Sequence, residues 1–132
     1  MGVLMRFLLD THALLWWLAG DERLSIHARA LIDDEHNEVL VSAASAWEIS
    51  TKVRLGKLPG AVDVAERLGD ILRDQGFREL EITVEHGRRA GLLPGAHRDP
   101  FDRMLAAQAQ AEVLPIVSCD PALDGFGVRR IW

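Results

Sequence analysis

An α/β fold built on a parallel sheet is the class this sequence predicts, and three observations predict it. Phe7-Leu8-Leu9 is too short and too apolar for anything but a buried strand, and Ala13 to Leu18 follows it without Gly or Pro as a buried helix. Glu38 to Ser42 is apolar at its centre, the pattern of a parallel strand covered on both faces. Acids also recur where strands end or helices begin, at Asp10, Glu48, Asp102 and Asp120. In an open α/β sheet such positions share the rim at the strand carboxyl ends, where ligands bind.

The elements follow in order. Asp10 stands where the first strand hands over to the first helix, and the simplest duty for an Asp there is to cap that helix. Ala19-Gly20-Asp21 stops the helix, and Ser25 caps a second one over Ile26 to Asp34. After the strand Glu38 to Ser42, Ser45 and Glu48 form a capping-box pattern at the start of a helix that runs through Leu55 and ends at Gly56. Pro59-Gly60 leads into the helix Val62 to Gln75. Glu79 to Ile82 alternates polar and apolar residues, as a strand near a sheet edge does. Thr83 caps a short helix through Ala90, and Gly91 to Gly95 forms a turn. Asp99-Pro100 is a strong helix start, with Asp at the cap and Pro at the first helical position. Leu114 to Ser118 is the fourth strand and Val128 to Trp132 the last.

With 132 residues and 14.7 kDa the chain is expected to form one domain that buries roughly two-thirds of its unfolded surface. A single cysteine, Cys119, rules out an internal disulfide, and no Cys/His cluster has the spacing of a zinc site. The expected setting is therefore reducing and cytoplasmic. The apolar run near the N-terminus is broken by Asp10 and His12, so it is neither a signal peptide nor a membrane span. Gly2 is followed by Arg at position 6, which argues against myristoylation, and Met5 is an alternative start that would make Met1 to Leu4 an extension. A formal charge of −5 excludes a protein that coats nucleic acid, but not an enzyme that cuts it with the help of cations.

Gathered on one rim, the four acids Asp10, Glu48, Asp102 and Asp120 would repel one another. Two carboxylates ~4 Å apart do so by about 4 kcal/mol at an effective dielectric of about 20. Oxygen ligands without thiols or imidazoles select Mg²⁺ or Mn²⁺ over zinc, and paired ions of that kind clamp the attacking and leaving oxygens in phosphodiester cleavage. On this reading His12 and His97 are structural or surface residues. Lys52, Arg54 and Lys57 form a small basic group beside the acids where a phosphate backbone could lie.

Four segments carry a family resemblance: Leu8-Leu9-Asp10-Thr11-His12, Ser45-Ala46-Trp47-Glu48, His97-Arg98-Asp99-Pro100-Phe101-Asp102-Arg103 and Val117-Ser118-Cys119-Asp120. In this order, and covering almost the whole chain, they resemble the PIN domain and more narrowly the VapC-type toxins of bacterial type II toxin–antitoxin systems. The resemblance implies a single PIN domain over residues 1–132, a three-layer α/β fold with a central parallel sheet of four to five strands flanked by helices. It implies an Mg²⁺-dependent endoribonuclease, with Mn²⁺ as a substitute, acting on tRNA or ribosomal RNA. It implies neutralisation by a cognate VapB-type antitoxin, with homodimers and heterotetramers or larger assemblies, and no membrane partner. Asp10, Glu48, Asp102 and Asp120 carry over as catalytic, metal-binding acids. Thr11, Ser118 and Asp99 are possible additional members, Ser118 standing where the family often has Thr, and Asp99 being either a ligand or only a helix cap. Arg103 joins Lys52, Arg54 and Lys57 as an expected RNA contact. A PIN domain that is catalytically silent and only binds a partner is the alternative. A phosphoacceptor receiver domain is excluded, because Leu9-Asp10-Thr11 offers no acidic pair and no Lys follows Lys57.

Overall fold

In the computed structural model the described residues are 4–132, so Gly2 and the first three residues of the suggested extension lie outside them. Five strands, β1 (Arg6–Leu9), β2 (Glu38–Ser42), β3 (Arg78–Leu80), β4 (Ile116–Val117) and β5 (Arg130–Ile131), form one sheet in the order β3-β2-β1-β4-β5. All four pairings are parallel. Six helices connect them: α1 (Thr11–Ala19), α2 (Ile26–Asp33), α3 (Ala43–Arg54), α4 (Val62–Gln75), α5 (Val84–Leu92) and α6 (Pro100–Ala111). Short 3₁₀ turns lie at Pro59–Ala61 and Pro121–Phe126. No helix among the described residues is long and apolar enough to cross a membrane.

Alternation along the central strands makes the three layers. Phe7, Leu9, Val39 and Val41 face one way and pack with Ala13, Leu14, Ala28, Ile32, Leu68 and Leu72 of α1, α2 and α4. Leu8, Leu40 and Ile116 face the other way, against Leu105 and Ala106 of α6 and the aromatic ring of Phe126. Both faces of β1 and β2 are thus covered, which is why these strands read as continuous apolar runs. The small side chains Ala106, Ala107 and Ala109, all buried, let α6 lie close to the sheet.

Several elements differ from the sequence reading, each for a physical reason. Helix α3 begins directly at the end of β2: the Ser42 hydroxyl accepts from the Ala44 N–H and is the cap, so Ser45 lies inside the helix and there is no Ser45–Glu48 capping box. Glu48 therefore falls in the second turn. Strand β3 starts at Arg78 and stops at Leu80 because its partner β2 ends at Ser42, leaving Glu81 and Ile82 nothing to pair with. It is an edge strand, as its alternation indicated. Strand β4 is only Ile116–Val117, since β1 ends opposite it at Leu9 and Pro115 has no N–H to donate. Strand β5 is correspondingly short, and α5 runs through Gly91 to Leu92. The first helix is less buried than its composition suggests: Ala13 and Leu14 are buried, whereas Leu15 to Leu18 are half-buried. Trp17 Nε1 donates to the Gln75 side-chain oxygen Oε1 at 2.9 Å, and Trp16 packs edge-on against Trp132.

A buried polar knot fixes α6 against the β2 end of the sheet. Gln108 is fully buried; it accepts from the Ser42 hydroxyl at 2.5 Å and donates to the Glu81 carbonyl at 3.0 Å. Replacing Gln108 by Leu keeps the volume but leaves these groups without partners, which costs about 1–3 kcal/mol. Urea unfolding of Gln108→Leu is expected to show that loss; a change below about 0.5 kcal/mol would show that the knot holds nothing.

Candidate metal centre

Sheet order places the site. The strand order reverses between β1 and β4, and that switch point is where an open parallel sheet leaves a crevice beyond its carboxyl ends. Asp10 follows β1 and Ser118 follows β4. The Asp10 N–H donates to the Val117 carbonyl at 3.0 Å, extending the ladder by one residue and fixing the backbone. The Asp10 carboxylate makes no capping bond to α1. It accepts instead from the Ser118 hydroxyl at 2.6 Å, and that same hydroxyl accepts from the Asp120 N–H at 3.0 Å. Ser118 thus ties Asp10 and Asp120, the first and last of the four rim acids, together. Thr11 and Ser45 share a buried hydroxyl–hydroxyl bond of 2.9 Å, which pins the start of α1 to α3.

Helices α3 and α6 bring in the other two acids. Trp47 and Phe101 meet edge to face with ring centroids 4.7 Å apart, joining the second turn of α3, which carries Glu48, to the first turn of α6, which carries Asp102. Lys52 donates to Glu48 Oε2 at 2.5 Å, one helical turn on, while Glu48 Oε1 is buried without a hydrogen-bond partner. Asp99 caps α6, accepting from the N–H groups of Phe101 (2.9 Å) and Asp102 (3.2 Å). The Asp102 carboxylate lies 2.9 Å from His97 Nε2. Asp120 caps the following 3₁₀ turn through the Ala122 N–H at 3.0 Å.

The electrostatics are those of acids short of positive charge. Burial pushes the Asp10 carboxyl up, with Glu48 adding to the rise against the hydrogen bond from Ser118. Burial likewise lifts Asp102 to about 6, reinforced by the charges of Asp99, Asp10 and Glu48 despite the bond to His97. Burial works against the Lys52 ammonium, but Glu48, Asp99 and Asp102 hold it above its ordinary value. A divalent cation fits this donor set. The unpartnered Glu48 oxygen is a buried acceptor lacking a positive partner, and hard carboxylate oxygens are the ligands Mg²⁺ and Mn²⁺ take.

The expected site residues are not all equivalent in space. Donor atoms of His97, Asp102 and Asp120 lie within 4.8 Å of one another, the one such acid, Cys or His group among the described residues. His97 was expected to be structural or superficial, and its ring nitrogen lies in this group beside Asp102; a lone His two residues before a helix cap carries no signal that would reveal this. Arg103, expected to contact RNA, is a brace: it donates to the carbonyls of Ala90 (3.1 Å), His97 (3.0 Å) and Leu93. Arg54 and Lys57 are exposed, whereas Lys52 is committed to Glu48. That commitment was legible as a Glu followed four residues later by a Lys on one helix.

Comparison with known proteins agrees with this architecture. The PIN domain model matches residues 7–127. Ribonuclease VapC22 of Mycobacterium tuberculosis is 33% identical over 104 residues, 77% of this chain and 77% of the relative. Ribonuclease VapC16 of the same organism is 40% identical over 78 residues, and that match spans 53% of this chain and only 55% of the relative. In three dimensions the chain is similar to VapBC2 from Rickettsia felis, crystallised with a DNA fragment from its promoter, with a TM-score of 0.69 at 14% identity over 96% of this chain and 98% of the other. The parallel sheet, the acids at its switch point and these matches together establish that the chain belongs to the PIN domain family.

Proposed function

We propose that the protein is an Mg²⁺-dependent endoribonuclease, the toxin of a VapBC-type toxin–antitoxin pair, acting on structured RNA such as tRNA or ribosomal RNA. The observation that carries this reading is the buried Glu48 oxygen without a partner, on a side chain whose charge acts on Asp10 and Asp102, which already resist ionisation. Asp10, Glu48, Asp102 and Asp120 would hold the cation, with Mn²⁺ as a substitute. When bound, the ion supplies the charge that a phosphodiester transition state needs and lowers the pKa of a bound water. The chain's own residues orient it. Ser118 fixes one oxygen of Asp10, Lys52 fixes one oxygen of Glu48, and Asp99 stiffens the helix start from which Asp102 projects. Arg54 and Lys57 are exposed and free to take phosphates of a bound RNA strand away from the cut.

Sequence similarity to VapC-type ribonucleases and a fold shared with VapBC2 support the second element of the proposal, neutralisation by a VapB-type antitoxin. The acidic crevice is suited to an Arg or Lys from that partner, and a pair of toxin copies would complete the assembly. A silent PIN domain would have no reason to keep four acids at one switch point at the cost of their mutual repulsion.

Purified protein is expected to cleave RNA with Mg²⁺ or Mn²⁺ and to stop in excess chelator; cleavage unaffected by chelator would refute the metal reading. Asp102→Asn is expected to lower the rate about 100-fold or more. Asp99→Ala, which removes a helix cap, should cost about 1 kcal/mol of stability and little rate. The reverse pattern would mean that Asp99 is the ligand.

Acid should weaken metal binding, because a ligand carboxylate must be ionised and Asp102 takes up its proton near pH 6. Titration calorimetry is expected to show Mg²⁺ affinity steady at neutral pH and falling as pH drops through about 6. For the metal-free fold the sign is opposite. Asp102 has a raised pKa, so its ionisation removes stability as pH rises from its ordinary value of 3.8 toward 6. Metal-free Asp102→Asn should therefore melt no lower than wild type at pH 7.5. A much lower melting temperature would assign Asp102 a structural role.

A further inference from the structure

We propose that His97 is itself a ligand of the metal, so that the cluster offers one imidazole nitrogen among carboxylate oxygens and favours Mn²⁺ over Mg²⁺. The inference rests on the reading of the acids as a divalent-cation site and deepens it. Its first support is spacing. His97 Nε2 lies 2.9 Å from Asp102 Oδ2, and the donors of His97, Asp102 and Asp120 all lie within 4.8 Å of one another. Around an octahedral ion with bonds of about 2.1 Å, neighbouring ligands stand about 3 Å apart and opposite ones about 4.2 Å. The three side chains already span distances of that size.

A second support is that the His97 loop is built rather than loose. The end of α5 and the segment after it are held at three carbonyls, those of Ala90, Leu93 and His97 itself, by the single guanidinium of Arg103. That guanidinium lies over the ring of Phe126 at 5.8 Å, and the His97 ring packs against the same phenyl group, also at 5.8 Å. Arg103 is therefore a positioning residue: it sets where His97 stands without touching the cluster. A third support is independent of the histidine. Glu48 Oε1 is a buried acceptor without a partner, in the second turn of α3, which touches the start of α6 through Trp47 and Phe101. It marks the same corner as the place where positive charge is missing.

An imidazole in the ligand set alters the choice of ion. Mg²⁺ takes oxygen donors and binds nitrogen poorly, whereas first-row transition ions accept imidazole readily. If His97 merely donated a hydrogen bond to Asp102, it would influence both ions alike through that carboxylate.

Electron spin echo measurements on the full chain loaded with Mn²⁺ separate these cases, because nitrogen bound directly to the ion modulates the echo. Wild type is expected to show nitrogen modulation, and growth with ¹⁵N-labelled histidine should change its frequencies without any substitution. His97→Gln should remove the modulation and weaken Mn²⁺ binding about 10-fold or more, with Mg²⁺ affinity changed less than about 3-fold. His12→Gln should retain it. Bound Mn²⁺ without histidine modulation in wild type would overturn the inference while leaving the acidic metal site standing. Absence of Mn²⁺ binding altogether would overturn both. Should His97→Gln fail to fold, the labelled wild type and His12→Gln still decide.

Discussion

Carboxylates crowded beyond the ends of a parallel sheet cannot all ionise comfortably, and the structure is arranged around that strain. Asp10 is buried at the switch point with one oxygen given to Ser118. Glu48 is buried with one oxygen given to Lys52 and the other given to nothing. Asp102 is lifted to about 6 by burial and by its neighbours' charges. Two ionised carboxylates about 4 Å apart repel by about 4 kcal/mol at an effective dielectric of about 20, so burial and neighbouring charge instead raise Asp10 and Asp102. Only a cation relieves all of these groups together. Lys52 does part of that work within the chain, and a divalent ion would do the rest.

The layers exist to hold the acids at those distances. Parallel strands β1 and β4 aim their carboxyl ends the same way, so Asp10 and Ser118 meet although 108 positions separate them in the chain. Helices α3 and α6 begin on the same rim, where the Trp47–Phe101 contact joins them and the Gln108 knot anchors the far side of α6 to β2. Side chains such as Thr11, Ser45 and Ser42 spend their hydroxyls on element-to-element bonds rather than on ligand contacts. If the acids bind an ion, residues already held in this way would lose little entropy in doing so.

Much of this was legible in the sequence, for reasons that particular residues make plain. Asp10 between an apolar strand and an apolar helix, and Asp99-Pro100 before a run of small residues, combine local chemistry with the global fold. The helix Pro100–Ala111 accordingly starts where the sequence says it should. The strands Glu79 to Ile82 and Leu114 to Ser118 were overextended because strand ends depend on where the neighbour stops, which no local pattern records. Ser45 looked like a cap because its spacing to Glu48 fits, yet Ser42, at the strand end, reaches the first helical N–H groups sooner. The contacts of Arg103 and His97 were hidden for one shared reason: they arise from a loop folding back on a helix, which spacing along either element does not record.

Anomalous diffraction at the manganese edge from a crystal grown with Mn²⁺ tests the central claim most directly. A peak is expected at the switch point, bonded to oxygens of Asp10 or Glu48 and of Asp102 and Asp120, with the formerly unpartnered Glu48 oxygen turned toward it. Well-ordered acids with no anomalous peak among them, at Mn²⁺ concentrations that support cleavage, would contradict the account.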